Sequence, residues 1–259
     1  MITRFAPSPT GPLHLGHAFS ALVAFDMAKT QYGTFLLRIE DIDTSRARPE
    51  WEVQIYDDLT WLGLTWPTPV MRQSTRRDAY DAALDRLWDM GVLYPCACNR
   101  RDILAAASAP QEGAPMGPDG VIYPGTCRKA MRTGQRPRDH ALRLDMQMVA
   151  PELAHDIGDV VLARRDMGTS YHLSVVVDDA AQSVTDVVRG EDLENATPIH
   201  KLLQKLLGLP TPHYHHHRLI RDDAGKRLAK RDDARALSKF RADGLTPNDI
   251  RRLVGLPRV

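Results

Sequence analysis

The chain is poor in several things. Of its 259 residues only 6% are aromatic and three are cysteine. No apolar run approaches the roughly 20 residues that a membrane span requires. No charged leader with an apolar stretch behind it opens the sequence, so neither a signal peptide nor a membrane partner is expected. The odd cysteine count, with two thiols in Cys96-Ala97-Cys98, argues against a secreted disulfide framework and for a cytoplasmic chain with thiols or a metal. An excess of one charge is missing too: 34 basic and 33 acidic residues leave a net +1, which argues against a generic nucleic-acid coat. No internal repeat is present.

What charge there is lies unevenly. Residues 213–259 carry 12 Lys or Arg against 6 Asp or Glu, a net of +6. A polyanion would meet this C-terminal fifth, although a solvated helical face has the same composition.

Turn residues and periodicity divide the rest. Ile2 to Ala6 is a short apolar run that stops at Pro7-Ser8-Pro9-Thr10-Gly11-Pro12. From His17 to Tyr32, Phe19, Leu22, Val23 and Met27 recur at helical spacing, with Gly33 as the stop. Phe35 to Ile39 reads as a strand. Arg48-Pro49 opens a helix that Gly63 closes, and Ser74 to Met90 forms another, closed by Gly91. This alternation predicts a parallel α/β sheet. Residues 96–140 break the rhythm with Ala, Gly, Pro and all three cysteines. Leu142 and Leu144 alternate with Arg143 and Asp145 as in a half-buried strand, and Asp159 to Ala163 and Ser174 to Val177 read as further strands. Thr197-Pro198 begins a helix that Gly208 ends. The division expected is 1–95, an insertion over 96–190, and 191–259.

Two segments suit phosphates. Gly11-Pro12-Leu13-His14-Leu15-Gly16-His17-Ala18 has P-loop-like glycine spacing, but His17 and Ala18 stand where Lys and Ser/Thr are required. What remains is a turn and two histidines at the start of a helix, where free N–H groups favour an anion. Late in the chain, Gly225-Lys226-Arg227-Leu228-Ala229-Lys230-Arg231 is a basic loop suited to pyrophosphate or RNA. Taken singly, the histidines also fit a cap or the core, and the basic loop fits a solvated surface.

Together these segments resemble the two hallmarks of class I aminoacyl-tRNA synthetases. The likeness extends through Arg4-Phe5-Ala6-Pro7-Ser8-Pro9-Thr10-Gly11, Leu37-Arg38-Ile39-Glu40-Asp41-Ile42-Asp43, Trp61-Leu62-Gly63-Leu64, Val175-Val176-Val177-Asp178-Asp179 and Val188-Arg189-Gly190-Glu191-Asp192-Leu193. These resemble the catalytic half of glutamyl-tRNA synthetases, and within them the truncated glutamyl-Q tRNA(Asp) branch, to which Ile42 and Tyr123-Pro124-Gly125-Thr126-Cys127-Arg128 point. Arg227 and Ala229 depart from the family's Lys-x-Ser-Lys loop, so Lys230 alone carries over from it.

The resemblance implies a Rossmann-like class I catalytic domain with a zinc-bearing insertion and a short helical C-terminal segment. It implies a ligase that activates L-glutamate with ATP and Mg²⁺, without tRNA, and passes it to queuosine in the anticodon stem-loop of tRNA(Asp). His14, His17 and Lys230 would be catalytic, and together with Gly16 would hold ATP. Arg4, Phe5, Ala6, Pro7, Ser8, Glu40, Tyr171 and Arg189 would line the glutamate site. Glu40 suits the ammonium, and Arg4 and Arg189 the two carboxylates, in an order left open, because Arg stays charged and grips carboxylates bidentately. Tyr171 would add a hydroxyl and a wall. The 29 residues after Lys230 are too few for a separate anticodon-reading domain, so the molecule, expected as a monomer, would grip one end of a tRNA. An ordinary glutamyl-tRNA synthetase acting at the 3′ end, or an idle RNA-binding paralogue, are the rival expectations.

Cys96, Cys98 and Cys127 supply three thiolates where tetrahedral zinc takes four ligands. On chemistry alone His140, the nearest later imidazole, is the better fourth; the resemblance favours Tyr123. The site would be structural, pinning a segment with little core of its own. Asp41 and Asp43 read as loop-ordering residues. His213 and His215 to His217 read as RNA-facing or packing residues and not as metal ligands.

Overall fold

The computed structural model describes residues 1–107, 115–118, 120–129, 134–221 and 235–258. In chain order its elements are β1 (Ile2–Phe5), α1 (Leu15–Thr30), β2 (Thr34–Ile39), α2 (Pro49–Trp61), β3 (Met71–Arg72), α3 (Arg77–Asp89), β4 (Leu93–Cys96), α4 (Arg100–Ala107), β5 (Met116–Gly117), β6 (Gly120–Val121), β7 (Ala141–Leu144), α5 (Met146–Val149), α6 (Pro151–Ile157), β8 (Val161–Ala163), α7 (Tyr171–Ala181), β9 (Asp186–Gly190), α8 (Thr197–Leu207), β10 (His213–His217), α9 (Leu237–Ala242) and α10 (Pro247–Leu253). They form two compact units. The first comprises Met1–Thr75, Gln182–Glu194 and Pro212–Val259, and the second Arg76–Ala181 and Asn195–Thr211.

The first unit is built on a five-stranded parallel sheet in the order β10-β9-β1-β2-β3. Helix α1 packs over β1, β2 and β9 through a face that buries Ala18, Ala21, Ala24 and Ala28. Alanines there let the helix lie close to the sheet, and Phe5, Leu22, Leu37, Ile39, Ile55 and Leu59 fill the core around them. Each fully buried Leu, Ile or Phe contributes roughly 1.5–3 kcal/mol. Arg251 of α10 grips both carboxylate oxygens of Asp26 at 2.6 and 2.9 Å, tying the C-terminal helix to α1.

The glycine stops are realised in two ways. Gly63, Gly91 and Gly208 take positive φ after α2, α3 and α8. After α1 it is Tyr32 that turns left-handed, with φ +50°. Gly33 is needed for space, since a Cβ there would overlap the Met1 carbonyl oxygen.

The second unit joins the antiparallel sheet β4-β7-β8 to the helices α3, α7 and α8, with a small β5-β6 ribbon. Two expectations fail in it. Ser174 to Val177 belong to helix α7, not to a strand. Ser170 starts that helix by accepting from Ser174 N and, through its hydroxyl, from Leu173 N; burial of Leu173, Val175 and Val176 then outweighs their β preference. The strand over Leu142 and Leu144 is buried on both faces and not on one, for Arg143 and Asp145 are buried too. In the first unit, β10 is a strand that no periodicity announced.

Asp58 sits with Ile55 and Leu59 on the buried face of α2, and its Oδ2 has no hydrogen-bond partner among the described residues. Burial pushes its carboxyl up to about 6. An acid raised in the fold and ordinary when unfolded costs stability once both states are ionised. The penalty is absent below about pH 4 and complete above about pH 6. Asp58→Asn should therefore stabilise the protein at pH 8 by on the order of 2 kcal/mol, with the gain gone near pH 4, as read by urea unfolding at both values.

Candidate active site

In a parallel sheet of this kind, ligands bind beyond the carboxyl ends of the strands, where the strand order reverses. Here the chain builds outward from β1 through β2 to β3 and later returns to the other side as β9 and β10, so the reversal falls between β1 and β9. Arg4 stands near the end of β1, Glu40 directly after β2, and Arg189 near the end of β9. Both guanidinium groups are buried, with about 5% of each residue exposed. Arg4 donates to the Val188 carbonyl at 3.5 Å, and Arg189 lies 4.9 Å from the Tyr214 ring centre and 3.4 Å from His216 Nε2. Burial, and next to it the charge of Arg189, hold His216 below the usual imidazole range.

The Glu40 carboxylate is held from below. Arg38, fully buried in β2, donates to it at 3.2 Å and to Gln182 Oε1 at 3.0 Å. Neither Arg38 nor Gln182 stood out as a site residue in the sequence, where the only signal was one charge inside the run Phe35-Leu36-Leu37-Arg38-Ile39. The loop after β1, carrying Ala6, Pro7 and Ser8, is stitched to the segment after β2: Glu40 N donates to Pro7 O at 3.0 Å and Arg48 N to Pro9 O at 2.9 Å. Asp41 accepts from Ser74 N and Oγ, at 2.8 and 2.6 Å, and Asp43 from Ser45 Oγ and Arg46, so both carboxylates order loops. The Ser45 hydroxyl, followed by Arg46, holds Asp43 below the ordinary carboxylate range.

The start of α1 is capped by histidines. His14 Nδ1 accepts from Gly16 N, and His17 Nδ1 accepts from His14 N, both at 3.1 Å. An Nδ1 that accepts carries no proton, so each neutral ring bears its N–H at Nε2. The rings lie 3.8 Å apart, and Gly16 makes this possible, because a Cβ there would crowd the His14 ring at 3.0 Å. No acidic residue occupies the first turn, which leaves the helix end suited to an anion. Leu237 N donates to Leu13 O and Ala236 bridges His14, tying the late chain to this turn. Lys230, with Lys226, Arg227 and Ala229, lies outside the described residues.

Tyr171 stands in the second unit at the first turn of α7, its ring 5.5 and 5.6 Å from His172 and His200. Those two buried histidines share a 2.9 Å contact that the sequence did not suggest.

The same unit gathers the cysteines. The sulfurs of Cys96, Cys98 and Cys127 lie within 4.8 Å of one another, and the Tyr123 hydroxyl is 3.5 Å from both Cys96 Sγ and Cys98 Sγ. Ligands about 2.3 Å from a tetrahedral zinc lie roughly 3.8 Å apart, so the spacing fits that ion. Burial alone would raise the Cys127 thiol, but hydrogen bonds from Tyr123, the Ala97 backbone and the other thiols bring it down to about 7. Burial, then the thiols, push the Tyr123 phenol up. His140 is not in the group; its Nδ1 meets Asp139 at 2.8 Å. A cavity of about 770 Å³ opens beside the cluster, with Arg100, Arg164 and Arg165 in its wall.

Two of the strand histidines make structural contacts. His215 meets Asp186 at 2.8 Å, and His217 packs edge-on against Phe19.

A profile described as class I tRNA synthetases (E and Q), catalytic domain, matches residues 1–257. The chain belongs to this family. Its sheet is accordingly the Rossmann-like sheet of a class I synthetase catalytic domain. A glutamyl-Q tRNA(Asp) synthetase of Rhodobacter capsulatus is 63% identical, over 99% of this chain and 100% of that protein. One from Geobacter sulfurreducens is 44% identical, over 93% of this chain and 79% of the relative. The crystal structure of a glutamate-tRNA synthetase from Elizabethkingia anophelis superposes with a TM-score of 0.71 at 27% identity, over 93% of this chain and 54% of that one. This synthetase chain thus spans about half the length of that solved enzyme. No helix among the described residues is long and apolar enough to cross a membrane.

Proposed function

We propose that the protein is a cytoplasmic ligase that activates L-glutamate with ATP and transfers it to queuosine in the anticodon stem-loop of tRNA(Asp). The reading rests on the family, on the 63% and 44% identical glutamyl-Q tRNA(Asp) synthetases, and on one observation: two buried arginines and a carboxylate at the ends of β1, β9 and β2. Glutamate carries two carboxylates and one ammonium, the complement of that set. Arg4 and Arg189 bind the carboxylates and Glu40 binds the ammonium, with Ser8 as a hydroxyl partner and the Phe5-Ala6-Pro7 backbone as floor; the assignment of Tyr171 to glutamate rests on the family likeness alone. Neutral glutamine leaves a buried guanidinium poorly matched, and selectivity follows.

A carboxylate oxygen of glutamate attacks the α-phosphorus of ATP, and the bond to pyrophosphate breaks. A queuosine hydroxyl then attacks the carbonyl of the adenylate, and AMP leaves. No protein nucleophile is needed; positioning and charge stabilisation suffice. The Nε2–H groups of His14 and His17, beside Gly16 at the head of α1, and the Lys230 ammonium hold the phosphates. Mg²⁺ arriving with ATP supplies further neutralisation. Cys96, Cys98, Cys127 and Tyr123 would hold one structural zinc, which supplies a cross-link for a unit rich in loops. The protein acts as a monomer.

Three measurements test this. Protein purified without a chelating tag should carry close to one zinc per chain by metal analysis, and Tyr123→Phe should hold it less tightly; folded protein without zinc refutes the site. Lys230→Ala should slow ATP–pyrophosphate exchange on the order of a hundredfold while leaving the fold intact, the usual loss for one preorganised contact to developing charge. Labelled glutamate should be transferred only to tRNA(Asp) bearing queuosine, and after nuclease digestion should travel with the anticodon fragment. Label on the 3′-terminal adenosine would make the protein an ordinary glutamyl-tRNA synthetase.

A further inference from the structure

Arg143 breaks the pattern of its own strand. β7 alternates in sequence as though Arg143 faced water, yet only 7% of the residue is exposed. A buried guanidinium cannot shed its charge, since its proton is held at every working pH, so it needs an anion nearby. It forms no ion pair with a carboxylate among the described residues. The carboxylate of Asp159, the residue whose backbone it touches, is occupied otherwise: it accepts from Tyr94 Oη at 2.5 Å, from Arg128 at 2.9 Å and from Met146 N at 2.9 Å. Toward Arg143, Asp159 offers only its backbone carbonyl, at 2.8 Å.

The other neighbours of Arg143 belong to the cysteine cluster. Its Nε donates to Cys96 Sγ at 3.3 Å, and its guanidinium carbon lies 3.7 Å from the centre of the Tyr123 ring. The flat cation therefore covers the face of one candidate ligand while hydrogen-bonding to another. Three thiolates and a divalent ion leave one net negative charge with a neutral phenol, and two with a phenolate. We propose that Arg143 is the built-in counter-ion of the Cys96/Cys98/Cys127/Tyr123 cluster, a positioning residue that offsets its negative charge and fixes the Tyr123 ring. The inference rests on the zinc reading of that cluster. It explains why an arginine and not a lysine stands here: one planar group meets a sulfur, a carbonyl and an aromatic face at once, which a compact ammonium cannot do.

The test uses the full chain, purified without a chelating tag, as wild type and as Arg143→Lys, Arg143→Gln and Arg143→Met. Zinc affinity is measured by competition with a chromophoric chelator, and cobalt(II) replaces zinc to report the ligand field through its absorption spectrum. Circular dichroism checks each fold. The uncharged variants should bind zinc roughly 10- to 100-fold more weakly, the usual loss for a partner behind a metal ligand. Arg143→Lys should fall between them and the wild type, and the cobalt spectrum should shift in the uncharged variants. Should Arg143→Met fail to fold, Arg143→Gln against Arg143→Lys decides on the same criterion. Wild-type affinity and spectrum in the uncharged variants, or a lysine variant no better than they are, would overturn the counter-ion role while leaving the zinc site standing. A wild-type chain that binds no zinc overturns the zinc reading and this inference with it.

Discussion

β1 is four residues long, and the first unit depends on it. Parallel pairing with β2 on one side and β9 on the other sets Arg4 beside Leu36 and Thr3 beside Asp186, the first residue of β9. The chain positions of Arg4, Glu40 and Arg189 are 36 and 149 residues apart, so no local preference brings them together. Backbone ladders do. The loop that follows β1 is then locked to the loop that follows β2 by Pro7 and Pro9 carbonyls, and its far end runs into the histidine cap of α1. The proposed amino-acid site and the proposed phosphate site are thus two ends of one turn.

Both units bury guanidinium groups, and the same physics governs them. A cation out of water must be matched or it destabilises the fold. Arg38 is matched by Glu40 and Gln182, and Arg251 by Asp26. Arg143 is matched by sulfur, a carbonyl and an aromatic face. Such positions tolerate substitution poorly, since removing one partner strands the other. They also explain how a chain of nearly balanced charge concentrates strong local fields without a large net charge.

The helices were legible because periodicity and punctuation are local signals: α1, α2, α3 and α8 each begin and end within two or three residues of the expected place. Strands were legible where apolar residues gave them away, as in β1 and β2. β10 was not, because its sequence is His213-Tyr214-His215-His216-His217; it is a strand through its ladder with β9 and the His215–Asp186 contact, both of them long-range. Ser174 to Val177 misled for the opposite reason, since three consecutive valines suit a strand until tertiary burial favours a helix. In the candidate site, the cysteine trio could be read from composition, whereas Arg4 and Arg189 carried no local mark and were singled out by resemblance. Arg38 and Arg143 were missed, for alternation says which way a side chain points only when one face of the strand is wet.

The first unit is discontinuous, and this has a consequence for how the chain is made. β2 leaves the ribosome soon after β1 and covers one of its edges. The other edge awaits β9, which begins at Asp186, 181 residues after Phe5. At roughly 5–20 residues per second, synthesis leaves that edge open for about 10–40 seconds. An unpaired strand edge is a template for wrong partners. Over that interval the nascent chain is protected mainly by the shortness of β1 and by α1, which already lies across it.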